Sequence, residues 1–475
     1  MLRRNSHQLG MAKWVAVLLA TAAFAACSGD NGDGGNTSGG DGGAGQGSGA
    51  GSPVGSGAGS PVGSGAGSPV GSGAGSPVGS GAGSPVGSGA GSPTSTSTTA
   101  AGGNCTGTVD IAAPNGNPFE GGTLFVDPEY VAKVQSSIDK TTDAALIEKM
   151  KKVQQIPTAF WLDRIAAVDR LEGHLDAALA LQNQICEPVV PVIVVYDLPN
   201  RDCFAEASNG ELRVENGGVK RYREEFIDRI SAILAARTNQ RIVAIIEPDS
   251  LPNIATNLGS KDCTPETEKA YREEVAYALQ KLNMPHVYQY IDAAHSGWLG
   301  WPDNQKKGAK IFADVIKAAG NPAGVRGFAT NVANYTQLRY TSESYDQQSN
   351  PCFGEYDYVN ALGTALAAEG LGDKHFIIDT SRNGVGNIRA DWGYWCNNMG
   401  AGMGERPRAN PGGATRLDAF YWVKPPGDSD GTADKNAERY DLFCGYEDAD
   451  QRAPEAGYWF HEYFVECVKN ANPPL

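Results

Sequence analysis

The sequence predicts an α/β protein, a closed or nearly closed parallel β/α barrel of about seven strands in a single domain over residues 105–475. Three observations carry this expectation. Short β-rich runs alternate with amphipathic helical runs. About seven such runs fill roughly 360 residues, which suits a closed or nearly closed barrel better than an open doubly wound sheet. Nearly every run also ends in polar or charged residues, as barrel strands do at their carboxyl face.

In chain order, the 475 residues open with Arg3, Arg4 and Lys13 around the start of an apolar run from Trp14 to Ala26. That run is too short to cross a bilayer as a helix and has the form of an export signal over residues 1–26. It ends in "AFAAC", small residues leading into Cys27, and so resembles the bacterial lipoprotein cleavage site, although Phe24 stands where leucine is usual. Acylation of Cys27 would tether the exported chain to a membrane, at a bacterial cell surface or outer membrane. An ordinary signal peptide would instead leave Cys27 as an odd thiol. From Ser28 to about Asn104 the chain is Gly/Ser-rich, and from Gly47 it repeats "GSGAGSPV" five times before "GSGAGSPT". Nothing there can build a core. A flexible coil of that length reaches roughly 45–50 Å, so residues 27–104 are expected to act as a tether.

Setting Cys27 aside leaves eight cysteines, Cys105, Cys186, Cys203, Cys263, Cys352, Cys396, Cys444 and Cys467. An even number in an exported chain allows four disulfides, with a pairing that spacing does not reveal. The formal net charge of −15 lies wholly after residue 104. It argues against nucleic acid and anionic polymers and is compatible with a neutral one.

The strand candidates are "TAFWL", "VPVIVVYDL", "RIVAIIEPD", "HVYQYIDAA", "GFATNVAN", "HFIIDTS" and "DAFYWVK". Between them lie a helix with Val168, Leu171, Leu175 and Ala178 on one face, a stripe through Phe226, Ile230 and Ile233, and a helix opening at Thr264 with Pro265 in its first turn. The strands end in Tyr196 and Asp197, Asp249, Asp292 with His295, Asn331 with Asn334, Asp379, and Lys424. Burying a carboxylate costs several kcal/mol unless it is paired or hydrogen-bonded. Any one of these residues alone is better explained as a helix cap or loop ion pair, but six strand ends together indicate a polar cleft.

No GxGxxG or phosphate loop follows a strand, the six histidines show no HExxH spacing, CxxC does not occur, and no strand–turn–helix GxSxG elbow is present. No cofactor, metal or nucleophilic triad is therefore expected. What remains is carboxylate chemistry among tryptophans, with Trp161, Trp298, Trp301, Trp392, Trp395 and Trp422 beside the strand ends. Sugar faces stack on indoles of this kind. Core packing is the better reading for Trp422, inside a strand, and for Trp459.

"VVYDLPNRDCFAEASNG" (194–210) and "AIIEPDSLPN" (244–253) resemble the two signature motifs of glycoside hydrolase family 6. The resemblance continues through "YIDAAHSGWLGWPDN", "GFATNVANYT", "WCNNMGAGMGERP", "LDAFYWVKPPGDSDGT" and "PEAGYWFHEYFVECVKNANP", covering about residue 120 to the end. It implies a distorted, TIM-like barrel of about seven strands and an inverting hydrolase of β-1,4-glucosidic bonds in cellulose; a monomer is expected. Asp249 would be the general acid and Asp202 the carboxylate that keeps it protonated and moves protons, held by cations such as Arg201. Asp430 would be the candidate base, and Tyr196 would press on a distorted sugar ring. The resemblance further implies stacking platforms at Trp161, Trp298, Trp301 and Trp395, and polar sugar contacts at Asp292, His295, Asn334, Lys424 and Asp428. It implies the disulfides Cys203–Cys263 and Cys396–Cys444. Inversion requires well-separated carboxylates with room for a water. The stretches 202–226 and 424–444 have the length of tunnel-forming loops, which favours exo action with release of cellobiose from non-reducing ends. An endo-β-1,4-glucanase of the same family is the first alternative, and a non-catalytic cellulose-binding surface lipoprotein the second.

Overall fold

The structure is a computed structural model describing residues 105, 107–340, 349–391 and 393–475. The leader, the repeats, Cys27 and Trp392 lie outside these residues. Seven parallel strands form the centre, β1 (Phe160–Leu162), β2 (Val192–Val195), β3 (Ile242–Ile246), β4 (Val287–Asp292), β5 (Val325–Thr330), β6 (His375–Asp379) and β7 (Leu417–Tyr421), hydrogen-bonded in sequence order. These are the expected strands. The sheet curls until its ends meet at one point, where Thr158 bridges Trp422 in parallel and the Ala159 N–H donates to the Trp422 carbonyl at 3.1 Å. Lower on β7 the seam is occupied by Arg408–Ala409, running antiparallel to it. Among the described residues the barrel is therefore closed only where the start of β1 meets the end of β7, a distorted barrel as the resemblance implied.

The strands read as unbroken apolar runs because both faces are covered. Alternate side chains, among them Val192, Val194, Val243, Ile245, Tyr290, Ile377 and Tyr421, fill the barrel interior. Ile193, Val195, Ile242, Ala244, Ile246, Phe328 and Phe376 face outward into the helical layer. Phe119 enters the interior between Tyr290 and Tyr421, with ring centres 6.0 and 5.8 Å away. Buried Arg241 secures that N-terminal segment by donating to the carbonyls of Ile111, Ala112, Pro118 and Glu120.

The helices follow from local chemistry. Val168, Leu171, Leu175 and Ala178 are buried on one side of Leu171–Ile185 and its 3-10 lead-in. Thr264 caps Pro265–Lys281 by accepting from the Thr267 N–H, satisfying one of the amides a helix start leaves unpaired. Phe226 and Ile230 are buried. Trp422 is fully buried and donates to the Glu405 carbonyl at 2.9 Å, as a core residue.

Three disulfides form, Cys105–Cys186, Cys203–Cys263 and Cys396–Cys444. The two bridges implied by the resemblance are present. The count of four is corrected, because Cys352 and Cys467 are buried free thiols packed in different hydrophobic clusters. Cross-links of this kind persist in oxidising surroundings, as in an extracellular enzyme.

Candidate active site

A cleft of about 820 Å³ opens over the carboxyl ends of the strands. It is lined by Trp161, Tyr196, Asp202, Asp249, His295, Trp298, Asn334, Trp395, Lys424, Asp428 and Asp430, so the fold brings together most of the residues singled out in the sequence. Several strand ends achieve this by turning through left-handed backbone: Asp202 (φ 50), Glu247 (φ 48), Asp249 (φ 58), Ala294 (φ 59) and Asn331 (φ 60). Such conformations cost of order 1–3 kcal/mol each outside glycine and persist where surrounding contacts over-determine them.

Those contacts are visible. The Asp249 N–H donates to Asp292 Oδ2 at 3.1 Å, and the Ala294 N–H reaches the same oxygen at 3.3 Å. Asn253 Nδ2 donates to the Asp249 carbonyl at 2.5 Å and to Asp202 Oδ1 at 3.3 Å, bridging the two acidic loops. Ser208 Oγ donates to Asp202 Oδ2. Arg201 does not grip the Asp202 carboxylate directly, contrary to the expectation. Its guanidinium donates to the carbonyls of Asp163, Tyr196, Ser208 and Asn209 and lies over the Tyr196 ring at 4.4 Å, so it fixes the Asp202 loop and the tyrosine, while its charge acts on Asp202 through space.

The acids separate into two kinds. Loss of water in the depth of the cleft, then the charges of Asp202 and Asp292, push the Asp249 carboxyl well above the usual range. Burial raises Asp202 to about 6, against the pull of Ser208, Arg201 and Asn253. Burial raises Asp292 to about 7, against its two backbone donors. At Asp430 burial also acts upward but is outweighed by Arg382 and Lys424, which hold its carboxyl below the usual range. Asp430 receives Arg382 Nη1 at 2.8 and 2.9 Å, the Tyr335 hydroxyl at 2.6 Å and the Asn397 N–H at 3.0 Å, with Lys424 Nζ at 3.4 Å. After Asp430 the chain needs glycine, because a Cβ on Gly431 would fall 2.5 Å from Ala207 Cβ and 2.7 Å from Cys444 Sγ.

Around the acids, Trp161 donates its indole N–H to the Val423 carbonyl at 2.8 Å and meets Tyr196 edge-on at 5.3 Å. Trp298 is anchored on Thr256 at 2.7 Å. Asn334 Nδ2 and His295 Nε2 lie 3.0 Å apart, and burial with the nearby Arg389 charge keeps the imidazole neutral. Both Asp428 oxygens take Lys133, at 2.8 and 3.0 Å.

Some strand-end residues stand elsewhere. Asp292 lies beneath the cleft and supports Asp249 from below, while Trp301 is half-buried at the start of helix Pro302–Ala318, outside the cleft lining. Asp379 accepts the N–H groups of Ala333, Ser381, Val423 and Lys424, stapling neighbouring strand ends. Asp197 is fully buried and pushed up to about 9, burial being the main cause. The sequence reading missed Asn253, Ser208, Arg382 and Tyr335, which hold the acids, and Asp441. Asp441 Oδ2 accepts from the N–H groups of Glu206 (2.7 Å) and Ala207 (3.3 Å), joining the two long loops that line the cleft. Asn253 and Ser208 sit within the quoted motifs, whereas nothing local marks Asp441.

A parallel barrel whose carboxyl face carries acids of opposed protonation among cleft-lining tryptophans defines a glycoside hydrolase. Residues 119–471 match the family model for glycosyl hydrolases family 6. Exoglucanase 3 of Agaricus bisporus is 45% identical over 360 residues, 76% of this chain and 80% of that protein. 1,4-beta-D-glucan cellobiohydrolase C of Emericella nidulans is 46% identical over 369 residues, 76% of this chain and 80% of that one. Among solved structures, cellobiohydrolase II of Humicola insolens in complex with glucose and cellotetraose superposes with a TM-score of 0.73 at 44% identity, covering 76% of this chain and 100% of that one. The chain belongs to glycosyl hydrolases family 6.

Proposed function

We propose that this enzyme hydrolyses β-1,4-glucosidic bonds of cellulose with inversion, releasing cellobiose from non-reducing chain ends. The carrying observation is the asymmetry of the acids. Asp249 is held neutral by burial and by two neighbouring carboxyls, the state in which a carboxyl can donate a proton. In the proposed reaction Asp249 protonates the departing glycosidic oxygen, the C1–O bond breaks, and water adds to C1 from the opposite face. The water's proton passes to Asp202, whose value of about 6 suits a temporary acceptor, and Asn253 keeps the Asp202 and Asp249 loops in register for the return transfer. Asp430, saturated with donors and depressed in pKa, is a weak base and supports the reaction mainly by holding Lys424. Tyr196 and Trp161, packed edge to face, shape the wall against which a sugar ring distorts.

Exo action is supported by the bonded loops. Asp441 ties the segment after Lys424 to the segment after Asp202, Phe204 approaches Phe443 at 6.3 Å, and both segments line the cleft. The cellobiohydrolase and exoglucanase relatives point the same way. NMR of fresh cellohexaose digests should show α-anomeric sugar first, with cellobiose as the main product and little early loss of viscosity from soluble cellulose derivatives. Initial β-anomer would remove the mechanism, and a steep early viscosity drop would assign the endo alternative.

The sequence before residue 105 adds a proposed anchor at Cys27 and a tether over residues 27–104. Labelled palmitate should enter the wild-type chain in its native host and not the Cys27→Ala variant. Equal labelling of both would refute the anchor.

A further inference from the structure

One side of the cleft carries rings that the proposed reaction does not use. Tyr394, Phe443 and Tyr446 line the same cleft as Trp395. Trp395 stacks on Phe443 with ring centres 5.8 Å apart and planes 28° from parallel, Phe443 meets Tyr446 edge-on at 5.2 Å, and Tyr446 stacks on Tyr394 at 4.3 Å and 29°. The four rings thus form a continuous wall running on from Trp395. Two of them come from the segment before Cys396 and two from the segment around Cys444, and the Cys396–Cys444 disulfide joins those segments. The wall is covalently stapled at its base.

It is not a hidden core. All four rings are half-buried, and Leu442 beside them is 57% exposed. Among the described residues neither the Tyr394 nor the Tyr446 hydroxyl has a side-chain hydrogen bond. Each ring therefore offers apolar surface with a free polar tip, a combination that aromatic side chains use where one part of a contact is apolar and another wet. Asp391, Glu447 and Asp448 place negative charge around Tyr394. An anionic ligand is disfavoured there, while a neutral one rich in hydroxyl donors is favoured. A pyranose of a β-glucan, with an apolar C–H face and equatorial hydroxyls, has that character.

We propose that Tyr394, Phe443 and Tyr446 form an additional glucosyl-binding subsite that extends the cleft beyond Trp395. The proposal rests on the glucan reading above and adds one ring to the length of chain held. Its signature is a dependence on oligosaccharide length. In the full chain carrying Asp249→Asn, so that bound sugar persists, calorimetry with cellotriose to cellohexaose should show Tyr394→Ala/Tyr446→Ala weakening cellohexaose about 3- to 10-fold, as expected for loss of aromatic contact. Cellotriose should lose distinctly less. Tyr394→Phe/Tyr446→Phe should keep the stacking share and recover part of the loss. Equal loss at every length, or no loss for cellohexaose, would overturn the subsite. Cellohexaose cleavage by the wild type is measured alongside. Absence of cleavage with a length-dependent binding loss would sink the hydrolase reading and leave the subsite standing, whereas normal cleavage with unchanged binding would do the reverse.

Discussion

Replacing Asp249 by alanine should lower cello-oligosaccharide turnover by about 10²–10⁴-fold, the range general acid catalysis supplies, while the fold and sugar binding persist. The hydrogen bonds recorded at Asp249 are made by its backbone, to Asp292 and from Asn253, and alanine retains both groups. Its left-handed backbone (φ 58) suits alanine less well than aspartate, so Asp249→Asn is the companion variant. Asparagine tolerates that conformation yet has no proton to give, so equal inactivity of the two variants separates lost chemistry from backbone strain. The pH profile follows from the sign of the shift. The acid works only when protonated, and burial with two like charges raises it, so wild-type activity should decline at a pH well above the value near 4 at which an exposed aspartate ionises. Steady-state rates across pH 4–9 with both variants are the check, and undiminished turnover in Asp249→Ala would defeat the assignment.

The second large effect is on stability. Arg382→Met should destabilise the chain by about 3–5 kcal/mol, the usual result of removing one partner of a buried ion pair. The Arg382 side chain is wholly buried, its guanidinium lies 4.3 Å from the Tyr335 ring centre, and it bonds both Asp430 oxygens. Methionine fills similar volume but leaves the Asp430 charge with Lys424 at 3.4 Å as its remaining cation. Adding Asp430→Asn should restore part of the loss, because the uncompensated charge goes with it. Urea unfolding measures both. A change below about 1 kcal/mol in Arg382→Met would mean that the pair is solvated and contributes little.

Much of the site was legible because its residues stand at strand ends, and a parallel barrel places strand ends on one face whatever else it does. That logic correctly located Tyr196, Asp249, His295, Asn334 and Lys424 in the cleft. It could not separate them from Asp197 and Asp379, which occupy equivalent positions in the sequence. Asp379 turns to four backbone N–H groups instead, the helix-cap kind of role that was the better reading for any single acid. The cysteines show the same limit. Parity suggested four bridges, but Cys352 and Cys467 belong to different clusters.

The order of apolar runs, their capped helices and the acids at their ends are properties of local sequence, and these determined the barrel and the chemistry it could host. Protonation and enclosure were decided only by the tertiary structure. A carboxyl's charge depends on the water and charges around it, and those neighbours, Asp202 and Asp292 for Asp249, Arg382 for Asp430, and Asp441 across the two loops, come from segments tens to hundreds of residues apart that meet only once the barrel closes.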